Sequence, residues 1–164
     1  IIKYGMHQGF LILLNLLTTV VCGILWKELP FVLLVFWGIF FLRPYAGGYH
    51  ADTELRCYFL STAMMNMVVF LKKTIVLSNI MFIIIWIITV IFIWIYAPVE
   101  NTIHCLDEDA RKKYANNTKK ILLCNGIVML VGIWVNQRIV VDAIIWSQVM
   151  IAIAMIAGLW KYST

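Results

Sequence analysis

TIVLSNIMFIIIWIITVIFIWIYA, residues 74–97, runs for 24 residues without a charge. As a helix it would measure about 36 Å at about 1.5 Å per residue, enough to cross the roughly 30 Å hydrocarbon core of a bilayer. Residues 5–26 and 139–160 are runs of the same kind, each 22 residues long. Three shorter apolar runs complete the set: residues 29–42 and 58–71 with 14 residues each, and residues 121–135 with 15. The chain of 164 residues is 63% hydrophobic and only 13% charged, with a mean hydropathy of +0.94, which excludes an ordinary soluble domain. The pattern predicts an all-α, polytopic integral membrane protein of about six transmembrane or partly re-entrant helices. The two 14-residue runs are the ones short enough to form a re-entrant hairpin. Residues 1–164 read as a single membrane domain, since no internal repeat and no soluble block longer than residues 98–120 interrupts them.

Orientation follows from the positive charges. If six spans alternate, one side receives nine Lys and Arg residues (3, 43, 56, 111, 112, 113, 119, 120 and 161) and the other receives four (27, 72, 73 and 138). The richer side should be cytoplasmic. Both termini, residues 43–57 and the loop and helix start at residues 98–120 are therefore expected on the cytoplasmic face of the cell membrane. In that reducing compartment Cys57 and Cys105 should stay free thiols, while Cys22 and Cys124, within apolar runs, read as small packing residues. Asn116-Asn117-Thr118 matches a glycosylation acceptor but would face the cytosol, where it has no meaning.

Between the two shortest runs lies RPYAGGYHADTELRC, residues 43–57, which gathers four charges, a histidine, a cysteine and a Gly-Gly pair. Polar residues at membrane depth mark function. His50 can serve as a base and Cys57 as a thiol nucleophile, while backbone N–H groups near Gly47 and Gly48, or the side chain of Arg43, can stabilise an oxyanion or position a substrate. In one continuous helix His50 and Cys57 would be about 10.5 Å apart along the axis. A helix must therefore begin between them, with Asp52 or Thr53 as its N-cap and Glu54 in its first turn. Cys57 near that N-terminus, with Arg43 and Arg56 close in sequence, has surroundings that favour a thiolate. A zinc site built from His50, Cys57, His104 and Cys105 is the rival chemistry. It lacks any chelating Cys-x-x-Cys or His-x₃-His spacing, and neither metal nor cofactor is expected.

Residues 107–120, DEDARKKYANNTKK, read in two ways. Asp107, Glu108 and Asp109 suit the start of a helix, and the lysines near its membrane end suit anionic headgroups. The same residues Arg111, Lys112, Lys113, Lys119 and Lys120 offer a docking surface for an acidic peptide. Asp142, Gln148, Asn15 and His7 are isolated polar residues in spans, expected at helix contacts or span ends rather than along a proton path.

Residues 43–57 resemble the signature of the accessory gene regulator protein B (AgrB) family, membrane peptidases that process the precursor of a cyclic autoinducing peptide in Gram-positive quorum sensing. The resemblance extends to Lys3-Tyr4-Gly5 at the first span, to Tyr96-Ala97-Pro98-Val99 ending the fourth, and to the Lys-rich approach to the fifth. The resemblance implies His50 as general base and Cys57 as nucleophile of a cysteine endopeptidase, with Arg43 and Gly48 on positions important for processing. It implies a precursor peptide of the AgrD type, whose acidic tail would meet the basic residues of 111–120. It also implies closure of a thiolactone or lactone ring by a Cys or Ser of the bound peptide. The lipid bilayer and a second copy of the chain are the other expected partners, and nucleic acid is not one. The acidic run after Val99 departs from the family's pattern. A transporter, channel or peptide exporter is the competing class. It would predict paired polar residues at mid-span and symmetry between halves, neither of which is present.

Overall fold

The computed structural model describes residues 2–49, 51, 53–75, 78–100 and 107–162, with side chains from residue 9 onward except that of residue 79. These residues form six helices: α1 (Ile2–Leu25), α2 (Leu29–Ala46), α3 (Glu54–Thr74), α4 (Asn79–Tyr96), α5 (Glu108–Trp134) and α6 (Arg138–Tyr162). Among the described residues there is no strand, only an isolated parallel bridge between Gly47 and Val99. The described residues are thus all-α, and each expected apolar run supplies most of one helix.

The helix ends differ from expectation for local reasons. Run 74–97 is divided, because Thr74 closes α3 while Ser78, in extended conformation, caps α4 by accepting a hydrogen bond from the Met81 N–H at 3.4 Å. A Ser-Asn pair inside an apolar run is a cap signal that hydropathy alone does not register. Conversely α2, α3 and α5 outrun their apolar cores, reaching 18, 21 and 27 residues by recruiting polar flanks. Helix α2 continues through Pro44, with Leu42 and Ala46 fully buried on its inner side. Burial there outweighs the preference of a residue before proline to leave the helix.

Helix α6 is the hub. Its buried residues run from Val141 to Gly158, and it packs against α2, α3, α4 and α5. An all-round apolar sequence suits a helix surrounded by others. Helix α1 lies outside this core against α2 and α3. Its polar rungs to α3 keep nearly constant spacing: Thr18 with Tyr58 and Trp26 with Asn66 lie 40 residues apart, and Cys22 with Asn66 and Glu28 with Lys72 lie 44 apart. A constant offset means that α1 and α3 run parallel. The exterior is strongly apolar, with Leu25 76%, Ile80 71% and Trp160 79% exposed. Water disfavours so greasy a surface and hydrocarbon does not. Helices α2 and α6 are long and apolar enough to cross a membrane, and α1 and α4 hold the shorter apolar stretches Gly9–Leu25 and Ile80–Tyr96.

Candidate functional site

The polar stretch 43–57 is built from three pieces: the last turn of α2, a glycine turn and the first turns of α3. Gly47 caps α2 by donating its N–H to Arg43 O at 3.1 Å. Its φ of +73° is in the left-handed region, and a Cβ there would lie 2.1 Å from Val99 O. Gly48, with φ +121°, is held as closely, since a Cβ would meet Arg43 Nη1 at 2.6 Å and Ala154 O at 2.9 Å. Only glycine accepts both the dihedral and the approach. The Val99 N–H donates to Ala46 O at 2.9 Å, joining the segment after α4 to the same turn.

Arg43 emerges from α2 and folds back over the loop, donating from Nη1 to Gly47 O at 3.1 Å and from Nη2 to Tyr49 O. Its planar fork thus grips two carbonyls of the turn. The Tyr49 N–H donates to Ala154 O of α6 at 2.7 Å. The N–H groups of Gly47 and Tyr49 are therefore engaged, and Arg43 serves the loop as well as any substrate. His50, like Asp52, lies outside the described residues.

Helix α3 begins between His50 and Cys57 in the sequence. Thr53 is the N-cap, its hydroxyl accepting from the Arg56 N–H at 3.3 Å, and Glu54 stands in the first turn. Cys57 makes the first helical hydrogen bond of α3, to Thr53 O at 3.0 Å, and its thiol is exposed and free. It is placed where the partial positive charge of the helix start is felt. Cys57 precedes Lys72 by fifteen residues, so it sits about 22 Å along α3 from the far end of the bundle.

Helix α5 begins beside this turn, with the Tyr114 ring 5.7 Å from that of Tyr45. Arg111, Lys112, Lys113 and Lys120 are exposed, whereas Lys119 is half-buried with its ammonium 5.2 Å from the Trp94 ring. Arg111 lies 3.3 Å from the Glu100 carboxylate, and both line an open cleft with Pro98, Val99 and Tyr162. Through the Val99 bridge this cleft abuts the glycine turn. His104 and Cys105, like His50, lie outside the described residues, and among the described residues no group of three or more His, Cys, Asp or Glu gathers to hold a metal. Of the isolated polar residues, Asn15 donates to Leu11 O, Asp142 pairs with Arg138, and Gln148 is fully buried; the His7 side chain is outside the described set.

Sequence reasoning did not single out Ala154, Gly158 or Lys161 of α6, all of which touch the loop. Their signal was the small pair Ala154-x-x-x-Gly158, a spacing that lets backbones approach.

The structure is a helical bundle with an apolar exterior, holding an exposed thiol at a helix start beside a glycine-built polar turn. Residues 1–156 match the family model Accessory gene regulator B, and the chain belongs to the AgrB family. Membership carries a quorum-sensing role in processing a precursor peptide of the AgrD type. No curated protein matches the chain, and no solved structure does.

Proposed function

We propose that the chain is a multi-pass cysteine endopeptidase of the cell membrane that cleaves its precursor through a Cys57 thioester. The exposed Cys57 thiol at the start of α3, on the helix that follows the glycine turn braced by Arg43, is the observation that carries this reading. His50 takes the thiol proton, and the thiolate attacks one peptide carbonyl of the precursor. The tetrahedral oxyanion is stabilised by the positive end of α3 and the charge of Arg43. The C–N bond breaks, His50 returns the proton to the leaving amine, and the C-terminal fragment departs. A Cys or Ser side chain of the bound peptide then attacks the thioester, closing a thiolactone or lactone ring and releasing the Cys57 thiol. Thioester exchange is nearly balanced whereas hydrolysis would waste the intermediate, which favours placing the site at the membrane surface, away from bulk water.

The cleft at Arg111 and Tyr162 is the proposed seat of the precursor, with Arg111, Lys112, Lys113, Lys119 and Lys120 facing its acidic tail. All six helices are assigned to the membrane, with both termini and Cys57 on the cytoplasmic side and two copies of the chain forming the working unit. An impermeant thiol reagent should then label Cys57 from the cytosolic face only; labelling from outside intact cells reverses the orientation. The chemistry is tested with a precursor whose ring-closing Cys or Ser is replaced by Ala. It should leave a hydroxylamine-sensitive acyl adduct on Cys57, identified by mass spectrometry. Cleavage that proceeds with no such adduct refutes the thioester.

A further inference from the structure

Three residues of α6, Ala154, Gly158 and Lys161, share one helix face by their i, i+4, i+7 spacing, and all three meet the turn that precedes His50. Ala154 accepts the Tyr49 N–H at 2.7 Å. A Cβ on Gly158 would lie 2.7 Å from both Gly48 C and Tyr49 N, a collision with backbone that no rotamer can relieve. The Lys161 ammonium stands 4.9 Å from the centroid of the Tyr49 ring. On the opposite side Arg43 of α2 holds the Tyr49 carbonyl. The N–H and the C=O of Tyr49 are thus gripped by two different helices. Solvent would satisfy the same groups without fixing them.

We propose that this end of α6 is a positioning element of the reaction: Gly158, with Ala154 and Lys161, fixes the Tyr49 peptide, to which the proposed base His50 is joined in the chain. The inference rests on the His50–Cys57 reading above and extends it to a helix that carries no reacting group. It follows from the geometry that the bundle's most buried helix, which also holds α2, α4 and α5 together, transmits its placement directly to the loop. A base displaced by about 1 Å loses about 100-fold in rate without losing substrate affinity. Positioning therefore separates from binding in the kinetics.

The experiment compares Gly158→Ala with Gly9→Ala, since a Cβ at Gly9 has no neighbour within 4 Å. Both are assayed as full-length protein in lipid nanodiscs. Gly158→Ala should lower kcat for precursor cleavage by about 100-fold with KM within about threefold of wild type, while Gly9→Ala behaves as wild type. The rate of Cys57 alkylation by iodoacetamide is then followed against pH for wild type, His50→Ala and Gly158→Ala. The Gly158→Ala profile should superimpose on that of His50→Ala although His50 is present. Wild-type kcat and a wild-type alkylation profile in folded Gly158→Ala would defeat the proposal. If that variant does not fold, Tyr49→Leu carries the test, and losing the ring beneath Lys161 should lower kcat about threefold at unchanged KM; an unchanged kcat defeats it equally. Should Cys57→Ala and His50→Ala themselves retain cleavage, the peptidase reading fails first, which is a distinguishable outcome.

Discussion

The two ends of the bundle are closed by different physics. Away from Cys57, α1 joins α2 and α5 joins α6 through three-residue turns of the same design. Lys27 (φ +57°) and Asn136 (φ +59°) take the left-handed conformation, and the next N–H groups, of Glu28 and Gln137, return to Gly23 O and Gly132 O, each at 2.8 Å. These are Schellman closures, specified within six consecutive residues. Ion pairs Glu28–Lys72 and Arg138–Asp142 brace the same end, with Lys72 over Phe31 and Arg138 over Phe82. At the Cys57 end, by contrast, the turn at Gly47 and Gly48 depends on Val99, Ala154 and Gly158, all distant in sequence. A locally coded turn survives changes elsewhere, whereas one held by remote backbone depends on the whole bundle. The Cys57 end is the one that the complete fold has to assemble.

The largest break in this comparison is chemical. Cys57→Ala and His50→Ala should each lower precursor cleavage by at least about 1,000-fold while the protein stays folded in detergent. Glu28→Gln at the opposite end should leave turnover within about twofold. Cleavage at wild-type rate by Cys57→Ala would end the nucleophile assignment.

A pair of glycine variants sharpens the contrast. Gly48→Ala forces a side chain onto a φ of +121° and against Arg43 and Ala154, so turnover should fall about 100-fold through misplacement of the loop. Gly23→Ala meets Val32 Cγ2 at 2.5 Å inside the α1–α2 hairpin. It should lower thermal stability, by about 1–3 kcal/mol for overpacking, while each folded molecule cleaves normally. Turnover and melting temperature, measured together, should therefore separate the variants: Gly48→Ala loses mainly turnover and Gly23→Ala only thermal stability. A parallel loss of both in each variant would erase the distinction between the ends.

These expectations differ in how far the sequence alone supports them. The six helices were legible because lipid-facing and core-facing residues are equally apolar, so hydropathy marks each one whichever way it points. The same uniformity hides helix ends: the break at Ser78 and the extension of α2 past Pro44 depend on a cap and on burial, not on composition. At the site, the start of α3 was legible to within a residue, with Asp52 or Thr53 as the expected N-cap and Thr53 the one found. The engagement of Arg43 with Gly47 O and Tyr49 O, and the arrival of Ala154 and Gly158, were not legible. They arise from packing between α2 and α6, which no local pattern encodes.

A smaller effect is expected at the braced end. Glu28 and Lys72 are 22% and 17% exposed at their side chains, so Glu28→Gln leaves a half-buried ammonium short of its partner. Removing one member of a shielded pair should cost about 1–3 kcal/mol, read as a lower melting temperature in detergent. Cleavage at a temperature below the transition should be unaffected. Impaired cleavage by folded Glu28→Gln would show that the two ends are coupled.

The smallest effects belong to the basic start of α5, where the residues are mostly exposed. Reversing Lys112, Lys113, Lys119 and Lys120 to Glu should weaken precursor binding by about 0.2–1 kcal/mol per charge. Lys119 should differ from the others, because its ammonium already lies over Trp94 and its replacement also disturbs the contact between α4 and α5. Raising salt should weaken wild-type binding more than that of the reversal variant, since screening acts on the attraction the variant has lost. Anionic headgroups give the same salt trend for membrane association, so binding is measured in a neutral detergent. Cys57 should keep its reactivity toward iodoacetamide throughout, separating docking from chemistry. Affinity that ignores both the reversals and the salt series would leave residues 107–120 as the solvated start of a helix, with precursor selection confined to the cleft at Arg111 and Tyr162.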